Sequence, residues 1–275
     1  MSSPLSRPVL IGLGYDASSS FLRGAALAPP IIRKALHSPA ANGWSESGID
    51  IWAEGVIGDA GDLDLPETAE ARSLIERAIR EIVGRGDQPL SLGGDHSVTY
   101  STVRGVASRL ANLTIVQIDA HPDLYDEFEG DRYSHACQFA RIREEGLAAN
   151  LIQVGIRTMT GHQREQAERF GVDVIDMRRW THGDRAQVNG SVYLSIDLDG
   201  LDPAFAPGVS HPEPGGLTVR EVLEVVRQLD GPIVGADIVE LNPQRDPAGL
   251  TAVVAAKLVK EVAARMIETS NAASR

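Results

Sequence analysis

Three short stretches carry the side chains able to do chemistry, and each follows directly on an apolar run. They are Ser91-Leu92-Gly93-Gly94-Asp95-His96-Ser97, Asp119-Ala120-His121-Pro122-Asp123 and Ser195-Ile196-Asp197-Leu198-Asp199-Gly200-Leu201-Asp202-Pro203. Side chains two apart in extended backbone point the same way, so Asp119 can converge with His121, and Asp197 with Asp199. Carboxylates packed together repel and take up protons unless cations balance them, and two divalent ions would offset four such charges. A donor set of Asp and His with no thiolate suits Mn²⁺ better than a structural zinc site. Taken singly, Gly-Gly-Asp-His is a turn and Asp-x-Asp-x-x-Asp-Pro is a loop with an Asx turn. Their joint occurrence after three apolar runs points to one binding site.

The elements that must position these residues follow from the hydrophobic pattern. Val9–Leu13, Pro89–Leu92, Leu113–Ile118, Leu151–Val154, Val192–Ile196 and Ile233–Val239 are short continuous apolar runs, as expected of strands buried on both faces of a parallel sheet. Between them lie helical patterns. Ala71–Val83 repeats apolar residues at helical spacing behind a capping-box pair, Asp64 and Glu67. Thr218 and Glu221 mark a second such start, and the stretch from Leu250 to Met266 places Leu250, Val253, Val254, Leu258, Val262 and Met266 on one face. The alternation predicts an α/β fold with helices on both sides of a sheet, and such sheets bind ligands at the carboxyl ends of their strands.

With 275 residues and no linker-like composition shift, a single domain from residue 8 to 269 is expected, with short flexible tails at 1–7 and 270–275. A formal charge of −12, from 26 basic against 38 acidic residues, argues against nucleic acid or an anionic membrane as partner. It favours cationic ligands. No apolar run reaches the ~18 residues of a membrane span. The one cysteine, Cys137, excludes an intrachain disulfide and reads as a small buried side chain. With no secretory pattern in Met1 to Pro8, a cytoplasmic protein is expected.

The set Gly93-Gly-Asp-His96, Asp119-Ala-His-Pro-Asp123, Ser195-Ile-Asp-Leu-Asp-Gly-Leu-Asp-Pro203 and Asp237-Ile-Val-Glu-Leu-Asn-Pro243 resembles the ureohydrolase family of arginases and agmatinases. Ser20-Phe-Leu-Arg-Gly24, Tyr133-Ser-His-Ala136, Phe205-Ala-Pro-Gly-Val-Ser-His211 and Asn242-Pro-Gln-Arg-Asp246 make it similar to the plant-type arginases within that family. The resemblance implies a three-layer α/β/α fold with a mostly parallel central sheet and two Mn²⁺ per chain. By matched position, His96, Asp119, Asp123 and Asp197 would hold one ion, and Asp119, His121, Asp197 and Asp199 the other, with Asp95 and Asp202 in support. His135 matches the active-site histidine and Glu240 the substrate-binding glutamate.

Those implied roles make chemical sense. A guanidinium carbon is a poor electrophile, and two metal ions can supply hydroxide at neutral pH. Glu240 can hold the planar guanidinium by paired charge-assisted hydrogen bonds, and His135, with an ordinary pKa of about 6.5, can carry a proton to the departing amine. The implied reaction releases urea from a small cationic guanidino substrate. L-arginine, giving ornithine, stands slightly ahead of agmatine or another guanidino acid. The counterweight is Asp131, where plant-type arginases usually carry Asn: beside the substrate it would repel a carboxylate and attract an amine unless Arg132 or Arg141 compensates. The reading of another class is a catalytically silent binding or assembly subunit, against which the intact metal positions speak. The resemblance also implies a homo-oligomer, a trimer or hexamer.

Overall fold

Alternating strand and helix build the chain, and the order of the strands in space decides what meets what. The computed structural model describes residues 7–110, 112–188 and 190–273. Its first half comprises β1 (Pro8–Leu13), α1 (Ala28–Leu36), β2 (Gly58–Asp62), α2 (Glu70–Gly84), β3 (Gln88–Gly93), α3 (Val98–Ala107) and β4 (Thr114–Ile118). Then come α4 (Gln138–Glu144), β5 (Asn150–Val154), α5 (Gly161–Phe170), β6 (Asp173–Ile175), α6 (Met177–Thr181), β7 (Val192–Asp197), α7 (Val219–Gln228), β8 (Ile233–Val239) and α8 (Leu250–Ala273).

The eight strands form one sheet in the order β2-β1-β3-β8-β7-β4-β5-β6, and every pairing is parallel. Side chains alternate between two cores. Leu90, Leu92, Val116, Ile118, Leu194 and Ile196 face one side, with Ile32, Val226, Leu258 and Val262 from α1, α7 and α8. Ile11, Leu13, Ile115 and Tyr193 face the other, with Ile79, Val103 and Phe139 from α2, α3 and α4. This is a three-layer α/β/α arrangement.

All six expected strands form. Two more do not follow the apolar rule. β2 reads Gly-Asp-Ala-Gly-Asp and is almost wholly exposed at one edge, and β6 is a three-residue strand at the other edge. A short polar edge strand resists pairing with another chain, which is why its sequence looks like a loop.

The helix starts divide. Thr218 and Glu221 form the expected reciprocal cap on α7, but α2 begins at Ala69 with no side-chain cap. Asp64 lies too far ahead of that turn, and Glu67 instead accepts from Arg23 Nη1 at 3.1 Å. On α8 the buried seam runs through Thr251, Val254, Leu258, Val262 and Met266, while Leu250 and Val253 are 46% and 58% exposed, so the expected stripe is corrected at its first turn. Asp246 caps that turn through the Thr251 and Ala252 amides. The tail expected from 270 is helical through Ala273, whereas 1–6, 274 and 275 lie outside the described residues. No described helix is long and apolar enough to cross a membrane.

Candidate metal centre and active site

Four adjacent strands, β3, β8, β7 and β4, end at one edge of the sheet, and each continues directly into site residues. β3 leads into Gly94, Asp95 and His96. Both glycines there are required by close packing. A Cβ on Gly94 would stand 1.8 Å from the Tyr15 carbonyl oxygen, and one on Gly93 would stand 2.5 Å from Val239. β4 delivers Asp119, His121 and Asp123, β7 delivers Asp197 and Asp199, and β8 delivers Glu240. Asp123 and Glu240 adopt positive φ, 50° and 66°. Such strain in a non-glycine residue persists only where the surroundings over-determine it, as they do at binding sites.

The donors gather in two groups that share Asp119. His96 Nδ1 lies 3.1 Å from Asp119 Oδ2, 3.0 Å from Asp123 Oδ2 and 3.0 Å from Asp197 Oδ2. His121 Nδ1 lies 3.1 Å from Asp199 Oδ2 and 3.5 Å from the other Asp119 oxygen. Asp197 Oδ1 receives the Asp199 amide at 2.9 Å. All six residues assigned by resemblance to cations are thus brought together. His96, Asp119 and Asp123, and again Asp119, His121 and Asp199, place their donor atoms within 4.8 Å of one another.

A cation fits the first group on the evidence of the His96 ring. Ser195 Oγ donates to Asp237 at 2.7 Å, so at 2.9 Å from His96 Nε2 it must accept, which puts the ring proton on Nε2. Nδ1 is then the ring atom left to offer a lone pair to a cation, and with no cation there the three carboxylates push the ring's pKa well above the usual imidazole value despite burial. Nδ1 is buried, has no hydrogen-bond partner among the described residues and faces three carboxylate oxygens. Without a cation the arrangement resists its own charge. Burial pushes Asp197 well above the usual carboxylate range, reinforced by Asp199 and Asp119. Burial raises Asp199 to about 6, against the opposing pull of His121. Asp119 is held low despite its burial, because His121 and His96 flank it.

Beneath the donors runs a row of polar side chains that the sequence reading missed. Gln153, Gln117, Ser195, Asp237 and Ser91 stand opposite one another in register across β5, β4, β7, β8 and β3. Each sits one or two residues before its strand's end, and Gln117 and Ser195, two residues ahead of Asp119 and Asp197, share their face of the sheet. Gln153 Nε2 donates to Gln117 Oε1 at 2.6 Å, and Gln117 Nε2 to Asp119 Oδ2 at 2.7 Å. Asp237 accepts from Ser195, from Tyr193 at 2.5 Å and from Thr99 at 2.9 Å. Partners of this kind orient ligating rings and carboxylates, and their loss typically costs about 10–100-fold in metal affinity. Ser195→Ala is expected to weaken metal retention by about that factor, read as bound metal after dialysis against graded chelator. Undiminished retention would show that packing alone holds the His96 ring.

His135 and Glu240 meet beside the donors. Glu240 Oε1 accepts from the His96 amide at 2.9 Å and pairs with His135 Nδ1 at 2.9 Å, while no hydrogen bond among the described residues falls on Oε2. At the far side of the ring, Ser20 offers both its amide, 3.2 Å from Nε2, and its hydroxyl, at 2.8 Å. The amide suits a neutral ring and the hydroxyl can accept from a charged one, so Nε2 is served with or without its proton. Burial opposes the charged ring, but Glu240, with Asp95 and Asp123, holds the His135 pKa up at about 9. Asp95 fastens the loop that carries Ser20, accepting from Ser18 N and Ser19 Oγ, and Asp202 clamps the Ala204, Gly215 and Gly216 amides.

His135, Glu240, Asp123, His121, Asp197 and Asp199 open onto a cavity of about 220 Å³, whose wall also includes Ser20 and His211. Sequence places Ser20 and His211 in motifs but gives neither a role. The His211 ring centroid lies 5.1 Å from that of His135, and burial, together with the His135 charge, lowers its pKa to about 4.

Asp131 does not join this group. It is exposed, lies outside the residues lining the cavity, and its carboxylate accepts the Tyr133 amide of its own loop at 2.7 Å. Nor do Arg132 and Arg141 compensate it, for both pair with Asp126 and Glu144. Cys137 is buried, and burial raises its thiol to about 12, in keeping with a packing role.

A family model described as the arginase family matches residues 6–264. Arginase 1, mitochondrial, of Arabidopsis thaliana is 45% identical, the match covering 94% of this chain and 80% of that protein. A second Arginase 1, mitochondrial, from Oryza sativa subsp. indica, is 44% identical over 94% of this chain and 81% of its own length. Among solved structures, an arginase from Medicago truncatula superposes with a TM-score of 0.90 at 42% identity, covering 95% of this chain and 88% of that one. The mitochondrial names of these relatives overturn the expected cytoplasmic location. A chain without disulfides does not distinguish one reducing compartment from another.

Proposed function

Because the chain belongs to the arginase family, and is therefore a metal-dependent ureohydrolase of a small guanidino substrate, we propose that it hydrolyses L-arginine to ornithine and urea at a pair of manganese ions. His96, Asp119, Asp123 and Asp197 would hold one ion, and Asp119, His121, Asp197 and Asp199 the other. When bound, the pair supplies hydroxide at neutral pH by lowering the pKa of water.

The observation that carries this reading is the sharing of Asp119 between two histidines, with Glu240, whose Oε2 takes no hydrogen bond among the described residues, lining the same cavity. Glu240 is anchored through Oε1 and keeps Oε2 for the guanidinium, where a charge-assisted hydrogen bond in a buried setting fixes the plane of the substrate. His135, bonded to that same glutamate, is placed to pass a proton from Nε2 to the departing amine, and Ser20 steadies the ring in either state.

The alternative of agmatine rested on Asp131, which the structure turns away from the cavity. A silent subunit is disfavoured by the convergence of all six cation positions with a free glutamate oxygen. The homo-oligomer, trimer or hexamer, remains part of the proposal, supported by the apolar Leu250 and Val253 exposed at the start of α8. The test is urea release by manganese-loaded protein over a concentration series of L-arginine and of agmatine. Arginine is expected to give the higher kcat/KM. A preference for agmatine would overturn the substrate assignment, and no urea from either would overturn the reaction.

A further inference from the structure

One histidine in the cavity wall takes no part in the chemistry described so far. His211 is half-buried, and its ring lies 5.1 Å from that of His135, 6.2 Å from that of His121 and edge-on to Phe21 at 5.7 Å. Its Nε2 stands 3.5 Å from Ser20 Oγ, whose other neighbour is His135 Nε2 at 2.8 Å. A single hydroxyl is thus placed between two imidazole nitrogens.

The surrounding loops fix that placement. Ser210 Oγ donates to the Leu22 carbonyl at 2.7 Å, and Asn242 Nδ2 donates to the same carbonyl at 2.9 Å and to Ser210 Oγ at 3.0 Å. The segments that carry Ser20, His211 and Glu240 are therefore tied together within two residues of each of these side chains. Leu22 holds φ at 47°, a left-handed conformation costly for leucine that such a lock sustains.

A serine hydroxyl has one proton and gives it to one acceptor at a time. When His135 Nε2 is bare, it can take that proton. Once Nε2 carries its own proton, only the hydroxyl of the two Ser20 groups beside it can accept, because the Ser20 amide can only donate. The hydroxyl proton must then turn away. His211 Nε2 is the other acceptor in reach of Ser20 Oγ among the described residues. A ring with its proton on Nδ1 offers that nitrogen as a lone pair. Burial, and after it the charge of His135, keep His211 neutral with a pKa of about 4; His121 adds to the repulsion, and Glu240 and Asp119 oppose it.

We infer that His211 is a positioning residue for the proton transfer, taking the Ser20 hydroxyl proton whenever His135 is loaded, so that the Ser20 oxygen faces the Nε2 proton destined for the departing amine. The inference rests on the reading of His135 as the proton donor. At 3.5 Å the outer contact is long, and it is expected to tighten in the loaded state, as catalytic hydrogen bonds do. Without His211 the hydroxyl proton would point at a loaded ring or stay unpaired in a buried setting, and either destabilises the form that donates. The guanidinium is untouched by this chain. Its loss should therefore be felt in kcat rather than in KM.

The test is a cycle of variants in manganese-loaded protein with L-arginine as substrate. His211→Phe keeps a planar ring beside His135 and Phe21 but removes the acceptor. It is expected to lower kcat about tenfold, with KM within about twofold and metal content as in the parent. His211→Gln, whose side-chain oxygen extends about as far as Nε2, is expected to restore most of that loss. Ser20→Ala should lower kcat by a similar factor, and adding His211→Phe to it should cost nothing further, because the two act as one chain. If phenylalanine disturbs melting, His211→Leu makes the same comparison. Parent-like kcat in the acceptor-free variants, losses that multiply to about a hundredfold in the double variant, or a change confined to KM would overturn the inference. So would loss of metal from His211→Phe, which would mean that the ring acts by packing on His121. His135→Ala separates this from the reading beneath it: if that variant turns over like the parent, the proton-donor reading fails and takes the chain with it.

Discussion

Asp119→Ala is expected to empty both cation positions at once and to abolish urea release by several orders of magnitude. The reason lies in the two oxygens of this carboxylate. Oδ2 faces His96 Nδ1 at 3.1 Å while Oδ1 faces His121 Nδ1 at 3.5 Å, so Asp119 belongs to both of the donor groups that the described residues form. It is fully buried and held by Gln117 Nε2 at 2.7 Å and by the His121 amide at 2.6 Å, which leaves little room for a neighbour to take its place. Metal analysis after dialysis, beside a urea assay in excess manganese, separates the possible results. A variant that retained two ions and lost only rate would show that Asp119 is not shared between them. The equivalent change at Asp197 should also remove metal and activity together.

Glu240→Gln should do the opposite and keep both cations while losing turnover. Neither oxygen of Glu240 belongs to the donor groups. The substitution preserves an oxygen to accept from the His96 amide and from His135, so local order is retained, but the negative charge is lost. Two consequences follow. The guanidinium loses its buried counter-charge, and His135 loses the group that holds its pKa at about 9, so the ring is neutral over more of the working range. Truncating or neutralising one partner of a buried charge pair costs about 2–5 kcal/mol, which corresponds to roughly 30- to several-thousand-fold in kcat/KM. Steady-state kinetics with metal content measured on the same sample provide the check. Normal hydrolysis by a fully loaded variant would refute the guanidinium clamp.

The chemistry of the site was readable from the chain because the donors are local. A buried strand ends where its apolar run stops, and polar residues placed immediately afterwards fall at the sheet edge whatever the rest of the fold does. Asp119, His121, Asp123, Asp197, Asp199 and His96 all obey this rule. Glu240 obeys it too, although its role came from the resemblance. The row of Gln117, Gln153, Ser195, Asp237 and Ser91 carried a local signal as well. Each is a polar residue inside a largely apolar strand, one or two positions ahead of the end, and for Gln117 and Ser195 period-2 alternation alone gives the face of Asp119 and Asp197. That signal was overlooked because a lone serine or glutamine in a strand also reads as ordinary.

What local pattern could not supply was the order β3-β8-β7-β4, which makes neighbours of segments far apart in sequence. Strand order is set by how whole layers of helices pack on the two faces, and no window of the chain contains that information. The same holds for Ser20 and His211, which reach the cavity from loops whose course depends on distant contacts. It holds for Asp131 as well. Its type and position suggested a specificity residue, but a loop turn claims its carboxylate for the Tyr133 amide. Residue types at strand ends thus specified which chemistry was possible. Tertiary packing decided which oxygens face which imidazole nitrogens, which glutamate oxygen stays free, and that the start of α5 forms the remaining wall of the cavity.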